Sequence, residues 1–180
     1  MRYAIIADIH ANLAAFTAVL EDIEKQGGVN EIWCLGDVVG YGPDPHQCLE
    51  LLRQKNHICI AGNHDWAAVG KIDSAYFNPD AAAACHWTAR QLSPEDIKYL
   101  ESLSLILERA EFTLAHGSPR EPTGEYIIST SIAKVNFNLF QSPYCLVGHS
   151  HVPLVFKEEG DTCSASQFLL RDESTKDGRI

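Results

Sequence analysis

The sequence predicts an α/β fold, and three observations carry the prediction. Short apolar runs alternate with helix-patterned segments along the chain. Three helical segments open on Asp44-Pro45, Asn78-Pro79 and Ser93-Pro94, each an N-cap followed by a first-turn proline. No internal repeat or linker divides the chain, so residues 1–180 are expected to form a single domain, a normal length for one core.

In order, Tyr3 to Ala7 is the first apolar run, and Leu13, Phe16, Leu20 and Ile23 come next at helical spacing until Gly27 and Gly28 stop the helix. Glu31 to Leu35 is a second strand, and Leu49 and Leu52 lie on the helix that Asp44-Pro45 opens. His57 to Ala61 is a third strand. Helices run next through Ala81 to Leu92 and through Tyr99 and Leu103. Leu105 to Leu107 and Phe112 to Ala115 pair as strands, Ser131 to Phe140 is a short helix, and Tyr144 to Val147 and Leu154 to Lys157 are strands. Phe168 to Leu170 reads as a final strand before a polar stretch, Arg171 to Arg179, with no apolar face.

Composition narrows the partners. With 24 acidic against 14 basic residues the net charge is -10, and no basic run could track a phosphate backbone, which argues against long nucleic acid as ligand. The same balance disfavours an anionic membrane surface, and no stretch approaches the roughly 20 apolar residues of a span. Asp8 and His10 interrupt the N-terminal apolar run before a signal core forms, so a cytoplasmic location is expected. Cys34, Cys48, Cys59, Cys85, Cys145 and Cys163 form no C-x-x-C pair and read as reduced thiols without a functional part.

The residues just beyond each apolar run carry the chemistry. The first run ends in Asp8-Ile9-His10, the next in Gly36-Asp37, then Gly62-Asn63-His64, His116-Gly117 and Gly148-His149-Ser150-His151. In open α/β sheets functional groups gather beyond the carboxyl ends of strands, so these turns are expected to converge. D-x-H and H-x-H each place two ligands on one side of an extended segment. Imidazoles and carboxylates without thiolates suit Mn, Fe, Zn, Co or Ni better than Ca or Mg; ligand type does not choose within that group, and manganese is the ion expected first. Seven ligands exceed one ion. With Asp37 bridging, two ions roughly 3.5–4 Å apart take four protein ligands each, and such a pair clamps the attacking and leaving oxygens of an in-line displacement.

The ordered series D-I-H, G-D, G-N-H-D, H-G and G-H-S-H, from Asp8 to His151, resembles the signature of the calcineurin-like metallophosphoesterase superfamily. The segments G-D-V-V-G-Y-G-P-D-P and H-G-S-P-R resemble its small single-domain bacterial and archaeal branch. The resemblance implies a two-sheet β-sandwich flanked by helices and hydrolysis of a phosphodiester or phosphomonoester by a metal-bridging hydroxide. The substrate would be a small molecule or nucleotide. It places Asp8, His10 and His151 on one metal and Asn63, His116 and His149 on the other, with Asp37 between. His64 would face the phosphate as proton donor or charge stabiliser.

Two departures qualify the resemblance. Protein Ser/Thr phosphatases of the superfamily read G-D-x-V-D-R-G, with an Asp that orients the catalytic His and an Arg that grips phosphate; Gly40 and Tyr41 stand there in this chain. A protein-phosphatase reading is weakened, with Arg120 as a replacement guanidinium for substrate. The similar small phosphoesterases also continue with strands that include an N-P-G-S type turn, which implies a second sheet incomplete at the C-terminus and a truncated domain. An interaction scaffold like the retromer subunit of the superfamily is the non-enzymatic alternative, disfavoured because all seven ligand positions are filled. Asn12 is either a substrate contact or an N-cap, Tyr41 and Tyr126 are candidates for the entrance, and His46, His57 and His86 are expected to play ordinary roles.

Overall fold

A computed structural model describes residues 1–167 of the chain. The strand expected at Phe168 to Leu170 and the polar stretch after it lie outside the described residues. The elements run β1 (Tyr3–Ile6), α1 (Leu13–Lys25), β2 (Glu31–Cys34), α2 (Pro45–Arg53), β3 (His57–Cys59), α3 (Asn63–Ala68), a 3-10 turn (Ser74–Tyr76), α4 (Pro79–Ala89), α5 (Pro94–Ser102), β4 (Ile106–Arg109), β5 (Phe112–Ala115), α6 (Thr130–Phe137), β6 (Tyr144–Leu146), β7 (Leu154–Glu159) and β8 (Thr162–Gln167).

Strands β1, β2 and β3 form a parallel sheet in that order, with Ile5 opposite Trp33 and Trp33 opposite Ile58. A second sheet orders β4, β5 and β6; β4 and β5 are antiparallel, and β5 and β6 run parallel. Strands β7 and β8 make a separate antiparallel hairpin.

The central strand β2 decides how the layers meet. Ile32 and Cys34 point to one face, where they join Phe16, Leu20, Leu49, Leu52 and Leu100 beneath the helices. Trp33 and the adjoining Leu35 point to the other, where they pack with Ile60, Leu114, Leu107, Phe112 and Leu146 between the two sheets. This period-2 division, both faces apolar, is what a strand covered by helices on one side and a sheet on the other requires. The expected two-sheet sandwich with flanking helices is borne out.

Helix starts agree with the sequence. Asn12, Asn78 and Ser93 each accept a hydrogen bond from a backbone N–H in the first turn of the helix they open, an arrangement worth about 1 kcal/mol per helix. Helix α3 and strand β8 are elements the pattern does not announce, and the third strand is shorter than expected, ending at Cys59.

Candidate metal centre

The turns that carry the seven predicted ligands lie together at one end of the two sheets. Asp8 and His10 come after β1, Asp37 after β2, Asn63 opens α3, His116 comes after β5, and His149 and His151 after β6. The D-x-H and H-x-H segments are not extended, however. Asp8, His10, Asp37, His149 and His151 all have positive φ, between 49° and 65°. Left-handed backbone at a non-glycine residue costs on the order of 1 kcal/mol, and such residues cluster at functional sites. Pairing joins the turns after β1 and β2: Asp8 N–H donates to Gly36 O at 3.0 Å, His10 N–H to Asp37 O at 2.9 Å, and Ala11 N–H to Val38 O at 2.9 Å. The two turns therefore brace each other.

The donor atoms converge. Asp37 Oδ2 lies 3.2 Å from His116 Nε2 and 3.7 Å from His10 Nε2. His151 Nε2 lies 3.3 Å from Asp8 Oδ1 and 3.1 Å from His10 Nε2, and His116 Nε2 lies 3.1 Å from Asn63 Oδ1. Ligand atoms bound at about 2.1 Å to one ion sit roughly 3.0–3.5 Å from each other, so these edges fit coordination. Two groups able to hold an ion are Asp8, His10, His151 and Asp37, His116, His149; a third joins His10, Asp37 and His64. His149 Nε2 supplies an independent test of fit: it is buried without any hydrogen-bond partner among the described residues. A buried nitrogen left unpaired costs about 1–3 kcal/mol, a cost that a metal bond removes.

Charge obeys the same geometry. Burial pushes Asp37 up, but the charge and hydrogen bond of His116 outweigh it and hold the carboxyl below the usual range, with the His116 imidazole raised in return. Burial brings His64 and His149 down to about 4, so both rings are neutral at neutral pH. His116 Nδ1 lies 2.7 Å from the carbonyl of Leu35, which as acceptor leaves Nε2 for the cluster.

Two cavities flank the cluster. One of about 740 Å³ is lined by Asp8, His10, Asn12, Tyr41 and His151. The other, about 620 Å³, is lined by His64, His149 and the aromatic residues Tyr41, Tyr76, Phe77 and Tyr126. Tyr126 stacks on His149 with centroids 3.9 Å apart, and the Tyr41 ring centroid lies 4.4 Å from that of His64. Both tyrosines line the second cavity.

Asn12 lines the first cavity, but its Oδ1 accepts from Ala15 N–H at 3.0 Å as the cap of α1. Arg120 lines neither cavity. Its guanidinium pairs with Glu125, and its backbone N–H donates to Asn136 Oδ1, so it fastens the loop after β5 instead of pointing at the cluster. His46 pairs with Asp96 at 2.7 Å, His57 with the hydroxyl of Tyr99 at 2.8 Å and His86 with Ser74 at 3.0 Å, all away from the seven.

Two residues escaped the sequence reading. Asp65 is fully buried and accepts from the N–H groups of Asp37 at 2.8 Å, Gly62 at 2.9 Å and Val39 at 3.1 Å, tying two ligand turns together. It stands in G-N-H-D, so its signal was present. Cys85, on α4, places Sγ 3.3 Å from His64 Nδ1, and burial pushes its thiol up to about 12, so it keeps its proton. Nothing in an alanine-rich helix marks that thiol as distinct from core.

Fold and donor set together define a helix-flanked two-sheet protein built around a carboxylate–imidazole cluster of two-ion type. The family model of calcineurin-like phosphoesterases matches residues 1–153, and the chain belongs to that family of dinuclear metal-dependent phosphoester hydrolases. It is 40% identical over 178 residues to an uncharacterized protein of Methanocaldococcus jannaschii, covering 96% of this chain and 72% of that one. A metallophosphoesterase crystal structure from Sphaerobacter thermophilus is 50% identical with a TM-score of 0.75, covering 86% of this chain and 62% of that one. A symmetrical bis(5'-nucleosyl)-tetraphosphatase of Haemophilus ducreyi is 29% identical over 101 residues, 48% of this chain and 37% of its own length. The chain thus spans well under the whole of the latter two proteins. Among the described residues no helix is long and apolar enough to cross a membrane.

Proposed function

We propose that this protein hydrolyses phosphoric esters of a small molecule or nucleotide, with Asp8, His10 and His151 holding one divalent transition-metal ion and Asn63, His116 and His149 the other. Asp37 bridges. The observation that carries the reading is the unpartnered, buried Nε2 of His149 amid donor atoms spaced for coordination. When bound, the two ions supply Lewis acidity and lower the pKa of a water for in-line attack on phosphorus. The donor set suits Mn, Fe, Zn, Co or Ni without choosing among them, and manganese is the first ion to test.

The chain's own residues do the rest. Asp37, held ionised by its histidines, keeps the two halves of the cluster together. His64 lies over the cavity where the leaving group would sit and presents Nε2 as hydrogen-bond donor to the leaving oxygen. The aromatic walls supplied by Tyr41, Tyr76, Phe77 and Tyr126 favour a substrate with a planar ring, as a nucleotide has. That preference agrees with the tetraphosphatase relatives.

Hydrolysis of p-nitrophenyl phosphate and bis-p-nitrophenyl phosphate, after metal stripping and re-addition of Mn or Ni, tests the reading with His64→Ala alongside. Metal-dependent turnover that falls by orders of magnitude in the variant is expected, and the preferred ester sorts monoesterase from diesterase. A folded protein that binds two ions and turns over neither ester under any metal is a scaffold instead.

A further inference from the structure

We propose that Cys85 is a positioning residue for His64: its buried thiol donates to Nδ1 and so directs Nε2 toward the leaving group. This rests on the reading of His64 as the group that faces the phosphate.

The geometry has three parts. Cys85 is 1% exposed and its Sγ lies 3.3 Å from His64 Nδ1, the hydrogen-bond partner found for that ring among the described residues. Gly40 also lies against the ring, so close that a β-carbon there would come 2.5 Å from the same Nδ1. The ring is then held in place by Tyr41 and Phe77, with centroids at 4.4 Å and 5.2 Å.

A thiol is a weak donor, but a buried one whose acceptor among the described residues is His64 Nδ1 favours the hydrogen on the other ring nitrogen. With S–H donating to Nδ1, the ring proton resides on Nε2. A carboxylate at position 40, where the Ser/Thr phosphatases carry their orienting Asp, could only accept a hydrogen bond from the ring. In this chain the partner comes from α4, 21 residues along the sequence from His64, and is neutral.

The full-length, Mn-loaded protein carries the test, with Cys85→Ala, Cys85→Ser, His64→Ala and the double variant assayed on p-nitrophenyl esters. Cys85→Ala is expected to lower kcat about tenfold while KM stays within twofold, and Cys85→Ser, whose hydroxyl also donates, to recover most of the loss. In the His64→Ala background, removal of the thiol is expected to change nothing further. An equal loss in both backgrounds, or none in the single variant, overturns the proposal. A second readout does not depend on turnover: nitrogen NMR of the zinc-loaded protein is expected to find His64 as the Nε2–H tautomer, shifting toward Nδ1–H in Cys85→Ala. If His64→Ala turns over like the parent, the catalytic reading of His64 fails, and the tautomer alone then decides whether Cys85 orients the ring. A tautomer that Cys85→Ala does not move, or an Nδ1–H tautomer in the parent, overturns that orientation as well.

Discussion

Gly40 lies against the imidazole of His64, so that a β-carbon at position 40 would come within 2.5 Å of Nδ1 and 2.8 Å of Cγ. Gly40 also has φ 92°, where other residues are strained by about 1–2 kcal/mol. Gly40→Ala is therefore expected to push the His64 ring away and to lower kcat roughly 100-fold, the scale for losing a positioned acid or donor. Metal content should stay at two ions, because the three atoms nearest the added methyl all belong to His64 and none to a predicted ligand. Kinetics beside elemental analysis of the purified variant check both halves, and wild-type turnover would mean that the ring tolerates displacement.

Asp65 gathers three backbone N–H groups from the turns that hold Asp37 and Asn63. Asp65→Ala leaves those donors buried and unpaired and is expected to cost about 3–5 kcal/mol, with weakened metal retention. Asp65→Asn keeps one acceptor oxygen but sets an amide against an N–H, so an intermediate loss is expected. Urea denaturation of both variants with and without Mn measures the order, and equal stability of Ala and parent would remove Asp65 from the scaffold of the site.

These two residues illustrate what the sequence carried and what it did not. The ligand turns were legible because each interrupts an apolar strand with a residue that no strand interior needs, and five of them agree in order. Their backbone was not, since left-handed φ at Asp8, His10 and Ala11 goes with pairing to the turn after β2 and leaves no local mark. Strand β8, Thr-Cys-Ser-Ala-Ser-Gln, alternates only the small apolar residues Cys163 and Ala165 with polar ones, a weak signal, and is held by its register with β7. Helix α3 opens on Gly62, which offers no capping side chain, so G-N-H-D reads as a turn. Arg120 looked like a phosphate ligand because its partner Glu125 is invisible until the loop closes.

Asp96 ties α5 to α2 far from the cluster. Fully buried, it pairs with Arg53 and His46 at 2.7 Å each and accepts from the Ser93 hydroxyl at 2.8 Å. Burial alone would raise this carboxyl, but the hydrogen bonds from His46 and Ser93 lower it. A carboxyl lowered on folding adds stability that is present above its unfolded pKa of about 4 and is lost as pH falls through the lower folded value. Asp96→Asn is expected to cost about 2–4 kcal/mol at pH 7. The gap to the parent should narrow below pH 4. Thermal unfolding across pH 3–8 tests this, and a gap that stays constant in acid would mean that the charge contributes nothing.

Metal removal acts on the whole domain as well as on turnover, because the ligands lie on turns after β1, β2, β3, β5 and β6. Ions that bind only the folded chain stabilise it by about 2.7 kcal/mol at a hundredfold excess over Kd. For a domain of this size that corresponds to a rise in Tm of roughly 5–10 °C. Calorimetry of the chelated protein, with subsequent titration of Mn, should recover such a rise. His149→Ala should bind one ion less tightly and recover only part of it, while losing the cost of its own unpaired nitrogen in the metal-free form. The metal-free variant is accordingly expected to be no less stable than the metal-free parent, an inversion that a purely structural histidine would not produce. A variant destabilised equally with and without metal would instead assign His149 to packing against Tyr126.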